Sequence, residues 1–425
     1  MNVAIIGGGA AGFFAALSCQ QHHPQARVTL YEKTGKLLAK VKVSGGGRCN
    51  VTHACFTPSQ LVKYYPRGGK SLKKPFAHFG PQETIDWFEA RGVALHTEAD
   101  GRMFPVTNRS QTIIDCLVEE AHRLGVAVRT HAAVQALCRT EAGHELTVND
   151  QLIIADRVIV ATGGSPKRSG LEWLAALGHT IQAPVPSLFT FNMPQESITA
   201  LPGLSVDHAL VRIPGTKLSS EGPLLITHWG LSGPAVLKLS AWGARPFSER
   251  NYAFSVQVNW LGQANEEQVR ADVLEALPKM GKRKVINKNP FGLPQRLWQY
   301  LLDRAHVDPN GPWAEVSKKS RNALLHVLLN DTYVVSGKTT FKEEFVTCGG
   351  VSLSDVNLRT MESKVCSGLY FAGEVLDIDG VTGGFNFQAA WTTGFMAGKL
   401  AGTTGQETMT KTVAPPEVSL ITSPE

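Results

Sequence analysis

Gly7-Gly8-Gly9-Ala10-Ala11-Gly12 satisfies G-x-G-x-x-G, a spacing that lets a backbone turn hold a pyrophosphate. The pattern follows a short apolar strand (2–6) and opens a helical run from Ala10 to Gln21. Glu32 ends a second strand (27–33), 20 residues after Gly12. That order is the fingerprint of a dinucleotide fold with a parallel sheet. Gly7 permits the tight turn, Gly9 lets the backbone approach the phosphates, and Gly12 lets the helix pack close to the strand. Ala10 and Ala11 sit at the helix N-terminus, where free N–H groups and the positive dipole end favour an anion. Glu32 is placed to accept hydrogen bonds from ribose hydroxyls. Lys33 and Lys40 follow as candidate phosphate partners.

FAD and NAD share this fingerprint, and the end of the chain separates them. Residues 369–390, LYFAGEVLDIDGVTGGFNFQAA, place a strand before Ala372-Gly373-Glu374. A glycine pair, Gly383-Gly384, then opens a helix that continues with Phe385 and Asn386. The arrangement resembles flavoproteins of the glutathione-reductase type. There a late strand ends in A-G-acid, the acid binds the ribityl chain, and the next helix points its N-terminus at the flavin N1/C2=O edge. A helix dipole there stabilises the negative charge of reduced flavin. Ala161-Thr162-Gly163-Gly164 resembles the other strand-end motif of that superfamily. Three motifs in this order point to FAD as the tightly bound cofactor.

Ser44-Gly45-Gly46-Gly47-Arg48-Cys49-Asn50 follows the second strand by about ten residues. It reads as a loop over the ribityl chain and ring, with glycines allowing close backbone approach. Arg48 is a candidate partner for a phosphate or substrate anion, and Asn50 for the flavin or substrate; a purely structural loop is the alternative. Cys49 and Cys55 are spaced C-x5-C, not the C-x4-C of disulfide reductases. The extra residue turns the pair by about 100° on a helix, which argues against a redox dithiol. Cys49 is separately a candidate proton donor to a substrate carbon. His228 is a second candidate donor, and Trp229 a stacking surface for a ring or base, just ahead of a predicted helix at 231–244. Packing at the start of that helix is the competing reading. Cys348 reads as core. Asp377 and Asp379 read as braces of a loop near the flavin, with too few further ligands for a metal.

The elements that must position these residues are legible in outline. Helical signals fall at 57–64, 81–91 and 110–124, the last capped by Ser110, with a hairpin around Asp100-Gly101. Short strands follow between 126 and 154, then an apolar strand at 155–162. Beyond about 185 the text turns to prolines and short strands; 264–277 and 294–329 read as helical, and strand-like text resumes at Phe345. The expected architecture is α/β, with a discontinuous Rossmann-type FAD domain (1–190 and 345–400). An insert at 191–344 is β-rich over 191–260 and helical over 264–335, and a flexible tail covers 402–425.

With 43% hydrophobic and 18% charged residues over 425 positions, the chain can bury a large core. It has no run of about 18 apolar residues, so no membrane span is predicted. The apolar start is broken by glycines and lacks a basic flank, so it does not read as a signal peptide, and the cytoplasm is expected. Seven scattered cysteines exclude a secreted disulfide scaffold and show no zinc-ligand spacing. Residues 33–74 carry ten basic side chains and no acid; 279–288 carry five and 318–321 three. These stretches are expected to surround a polyanion such as RNA, against the reading that they are solvated and unrelated in space.

VSGGGRCNVTH (43–53), GRMFP (101–105), ATGGSP (161–166), THWGLSGPAVLKLS (227–240) and FAGEVLDIDGVTGGFNFQAA (371–390) together resemble the BaiN/RdsA (YhiN-like) family of NAD(P)/FAD-dependent oxidoreductases, over about residues 1–400. His53 departs from the pattern, which has Asn there. The resemblance implies a glutathione-reductase-like FAD domain with an insert partly β-barrel-like and partly helical. It also implies reduction of a conjugated C=C bond, either in a small molecule or in a uridine of large-subunit ribosomal RNA, giving dihydrouridine. No second G-x-G-x-x-G is present for NAD(P)H, so the nicotinamide is expected to dock transiently as electron donor.

Overall fold

The computed structural model describes residues 1–262, 265–339, 346–400 and 419–420. The tail expected beyond residue 402 lies outside them, save for Ser419 and Leu420. The chain divides into two compact units, Met1–Pro186 with Phe341–Glu425, and Ser187–Thr340.

The first unit is built on a parallel sheet. Strand β1 (Asn2–Ile6) leads through helix α1 (Ala10–His22) to β2 (Arg27–Tyr31). Later come β3 (Ala127–Arg129), β4 (Arg157–Val160) and β5 (Leu369–Phe371), followed by helix α2 (Phe385–Leu400). The parallel order is β5-β4-β1-β2-β3, with Ile5 beside Ile159 on one side and Leu30 on the other. These strands are short and rich in Val, Ile and Leu because both faces are covered. The order reverses beside β1, so the carboxyl ends of β1 and β4 open the crevice where such sheets bind ligands. Helices α1 and α2 pack against each other, and Ser18 Oγ donates to Phe395 O at 2.7 Å. Their shared core centres on Phe14, Phe79, Phe88 and Trp391, whose rings meet edge-on or tilted.

The second unit holds a seven-stranded sheet in which every pairing is antiparallel. Its edge strands, Asp331–Ser336 and Lys338–Thr339, are separated only by Gly337. The sheet therefore curls round on itself as a partly open barrel, filled by Phe189, Phe191, Phe247 and Phe254. Helices Glu266–Ala276, Gln295–Arg304 and Lys318–Asn330 complete it.

Three local expectations are corrected. Ser110 is the first residue inside its helix; Arg109 occupies the cap, and the Ser110 hydroxyl donates to Lys42 O at 2.8 Å. Residues 230–232 form a strand, and the helix expected from 231 begins only at Pro234. The basic run contains an unforeseen helix, Gly69–His78, that accommodates Pro75. No helix among the described residues is long and apolar enough to cross a membrane.

Candidate active site

The first glycine turn has the shape its sequence requires. Gly7 N donates to Tyr31 O at 2.8 Å, tying the turn to β2. A Cβ on Gly7 (φ +113°) would lie 2.4 Å from Ala161 O, and one on Gly12 1.9 Å from Gly7 O. Gly9 differs: a Cβ there meets nothing within 4 Å. It caps α1 without a side-chain hydrogen bond, and the first turn carries no acid. The helix therefore presents unneutralised N–H groups, beginning at Ala10 and Ala11, to open space in front of Gly9, which fits a pyrophosphate.

Glu32 sits half-buried at the rim of this cradle. Its carboxylate accepts from Gly8 N (2.9 Å), Thr34 N (2.9 Å) and Thr34 Oγ1 (2.8 Å), which fixes it where a ribose would lie. Lys33 is exposed. At the end of β4, Ala161 is buried as packing, whereas Thr162 is exposed and Gly163 (φ +78°) faces open space.

Glu374, after β5, joins two other segments. It accepts from Thr347 N and from Lys40 Nζ, both at 2.7 Å. Its predicted partner is the ribityl chain; in the chain itself the carboxylate is already oriented by these two donors, and Gly373 (φ +76°) brings it against α1, where a Cβ would meet Ala11 Cβ at 2.7 Å. Gly383 and Gly384, both at positive φ, open α2. Asn386 holds the preceding loop, accepting from Gly380 N (2.8 Å) and donating to Gly380 O (2.9 Å). Phe385 is buried, and its ring stacks on Tyr64 with centroids 4.3 Å apart.

The glycine loop at 44–50 is held by several of its own side chains. Ser44 Oγ donates to Val41 O at 3.0 Å, and Gly46 (φ +68°) is exposed with open space before it. Arg48 is turned inward: it pairs with Glu98 at 2.6 Å and lies over the Phe104 ring at 4.0 Å. Asn50 is buried, and with its amide oriented to suit its neighbours it accepts from Gly384 N and donates to Thr52 O, both at 3.0 Å. Both side chains tie the loop to the protein, and Arg48 keeps 35% of its side chain accessible. His53, at the variant position, makes a parallel link, its Nδ1–H donating to Gly383 O at 3.1 Å.

Cys49 is corrected outright as a candidate acid. It has no accessible surface, so it has none to offer a ligand, and burial pushes its thiol up to about 12. Cys55 is partly accessible, and both are free thiols. In the native protein an alkylating reagent at neutral pH labels Cys55 and spares Cys49 until the chain is unfolded, as peptide mass mapping will show; early labelling of Cys49 would refute the placement. His228 and Trp229 belong to the second unit. They form the exposed two-residue turn between Ser219–Thr227 and Gly230–Ser232, with Trp229 57% accessible. They are a hairpin tip, not the approach to a helix.

Several working residues carried no sequence signal. Glu98, Thr347 and Arg67 each join segments distant in the chain, Arg67 through a bidentate pair with Asp379, the acid expected to brace its loop. Gln388 on α2 accepts from Thr52 Oγ1 (2.6 Å) and Thr84 Oγ1 (3.1 Å), and the Trp391 indole donates to Val51 O (2.9 Å). The early glycine loop and the late helix are thus one structure.

The open cradle at Gly9, the fixed Glu32 and the oriented Glu374 fit FAD. Fold and site define an FAD-dependent oxidoreductase of the Rossmann class. The chain belongs to the family described as the HI0933-like protein Rossmann domain, whose model matches residues 1–400. It is similar to a ribosomal RNA dihydrouridine synthase of Escherichia coli (30% identity, 91% of this chain and 94% of that one). It is also similar to a 3-dehydro-bile acid delta(4,6)-reductase of Clostridium scindens (28%, 94% and 98%). Among solved structures, 3-ketosteroid delta1-dehydrogenase from Sterolibacterium denitrificans shares the fold at 12% identity and a TM-score of 0.50, over 94% of this chain and 98% of that one.

Proposed function

We propose that the protein reduces a uridine of large-subunit ribosomal RNA to dihydrouridine, with electrons from NAD(P)H. The observation that carries this reading is uncompensated positive charge on the first unit, part of it next to an accessible ring. Of the ten basic residues at 33–74, Lys40, Arg48 and Arg67 pair with Glu374, Glu98 and Asp379. The other seven (Lys33, Lys36, Lys42, Lys63, Lys70, Lys73 and Lys74) are exposed and make no ion pair among the described residues. Lys63 adjoins Tyr64, which is 37% accessible and stacks on Phe385 directly after the glycine pair of α2. Exposed lysines without acidic partners, one of them beside an accessible ring, suit a polyanion whose bases stack more than they suit a small neutral substrate. The name of the Escherichia coli relative supports the same substrate class.

When bound, FAD supplies two-electron reducing chemistry. The chain's own residues do the rest. The N–H groups at α1 bind phosphate, Glu32 holds ribose, and Glu374, set by Lys40 and Thr347, orients the ribityl chain. The N-terminus of α2, set by Asn50 and His53, would offer its positive dipole end to the flavin. Saturating the uracil C5–C6 bond also needs a proton at one carbon. Of the two donors expected from the sequence, Cys49 is buried and His228 is exposed on its turn, so His228 is the one we retain as a proposal, with Trp229 as a stacking surface. An RNA substrate of this kind agrees with the cytoplasmic location expected from the sequence.

Nucleosides from large-subunit ribosomal RNA of cells lacking the protein will have lost one dihydrouridine by mass spectrometry, and re-expression will restore it. Unchanged dihydrouridine would end the RNA reading and leave reduction of a small conjugated substrate, the activity named for the Clostridium scindens relative.

A further inference from the structure

In the second unit the basic stretch 279–288 is stitched to residues 309–314, which lead directly into the basic stretch 318–321. Ala314 N donates to Gly281 O (3.1 Å), Trp313 N to Arg283 O (3.0 Å), Val285 N to Gly311 O (3.0 Å) and Ile286 N to Pro309 O (2.9 Å). Four residues beyond Ala314, the helix Lys318–Asn330 begins, capped by Ser317. Two buried indoles lock the first segment from beneath, Trp298 Nε1 donating to Val285 O and Trp313 Nε1 to Lys288 O, both at 3.1 Å. Lys282, Arg283, Lys284, Lys288, Lys318 and Lys319 are exposed on this held backbone. Lys279 is neutralised by Glu275 at 2.6 Å. Only Asp308 and Glu315 bring opposite charge within the stitched segments.

Two features of this arrangement cost stability in the free protein. The helix has lysines and no acid in its first turn, where its dipole disfavours cations. Six cations on a rigid support also repel one another. A polyanion lying across them reverses both effects, and because the support is already ordered, little entropy is lost on binding. The stitched segments expose no aromatic ring, Trp313 being buried, so they have nothing on which an unpaired base could stack.

We propose that these six side chains form one ridge on the second unit that binds the phosphate backbone of folded RNA. The proposal rests on the reading of the protein as an RNA-modifying enzyme, and it assigns to the second unit the sequence-independent share of RNA affinity.

The test uses full-length FAD-loaded protein in which Lys282, Arg283, Lys284, Lys318 and Lys319 are all changed to Gln, with a fragment of large-subunit ribosomal RNA as probe. Flavin content and reduction of the flavin by NAD(P)H stay at wild-type levels. RNA affinity falls at least about 10-fold near 0.1 M salt, and the slope of log affinity against log salt becomes shallower by about 4, at roughly 0.7–0.9 for each phosphate no longer neutralised. KM for RNA rises while kcat is nearly unchanged. Replacing the four lysines by Arg instead leaves affinity at the wild-type level. Wild-type affinity and slope in the Gln variant, with wild-type protein still forming dihydrouridine, would sink the ridge and leave the functional reading intact. Loss of binding to anionic phosphatidylserine vesicles with RNA binding untouched would sink it too. Wild-type protein that neither binds the fragment nor forms dihydrouridine would overturn the functional reading itself.

Discussion

Gly12→Ala gives a protein that neither holds FAD nor keeps its stability, whereas Gly9→Ala gives one that folds and fails to hold FAD. The contrast follows from what each new Cβ meets. At Gly12 it lies 1.9 Å from the carbonyl oxygen of Gly7, a backbone atom in the turn that also anchors β2. Neither α1 nor the turn can yield without disrupting the sheet, so the cost is about 3 kcal/mol, a fall in Tm of roughly 10 °C. At Gly9 the Cβ meets nothing within 4 Å, and φ is −90°, which alanine adopts freely. The flavin-free Tm should therefore stay within about 2 °C of wild type. The same Cβ occupies the space the phosphates need, and FAD affinity should drop about 100-fold, near 2.7 kcal/mol. Thermal melts of the stripped proteins and flavin absorbance after reconstitution measure the two effects separately. Full FAD retention by Gly9→Ala would contradict the placement of the cradle.

Arg67→Ala is expected to be the most destabilising loss of a polar side chain in the first unit. Asp379 is fully buried and Arg67 largely so, and the pair is bidentate. Burial alone works against the Arg67 cation, but the carboxylate of Asp379 more than offsets it and holds the guanidinium above its ordinary value. Removing the arginine strands a carboxylate in the interior, at about 3–5 kcal/mol, which lowers Tm by roughly 10 °C. Asp379 precedes Gly383 by four residues, so bound flavin should fall as well. Arg67→Lys keeps the charge but not the two-pronged geometry and recovers part of the loss. The double variant Arg67→Met with Asp379→Leu should recover more of the stability than either single change, because no charge is then left unpaired. An Arg67→Ala protein melting within about 2 °C of wild type would show that the pair is not a brace.

These two predictions also divide what could be read in one dimension from what could not. The Gly7–Gly12 turn, α1, β2 and Glu32 are contiguous, and each is dictated by neighbours a few residues away: a tight turn, a capped helix, an acid at a strand end. Sequence by itself therefore determined the dinucleotide cradle, the α/β class and, through the order of the late motifs, FAD as cofactor. Side-chain partners were a different matter. Lys40 meets Glu374 334 residues away, and Arg67 meets Asp379 312 residues away. The run 33–74, free of acids along the chain, is thus not free of them in space. Arg48 and Asn50, assigned to the ligand on composition, bond within the protein, and Cys49 disappeared into the core because a reactive thiol and a packing thiol look alike in a sequence. His228 moved from the start of a helix to the tip of a hairpin, since a three-residue strand has no periodicity to reveal it. Local geometry is encoded by local residues. Which charges stay free to meet a ligand is settled only when folding chooses their partners.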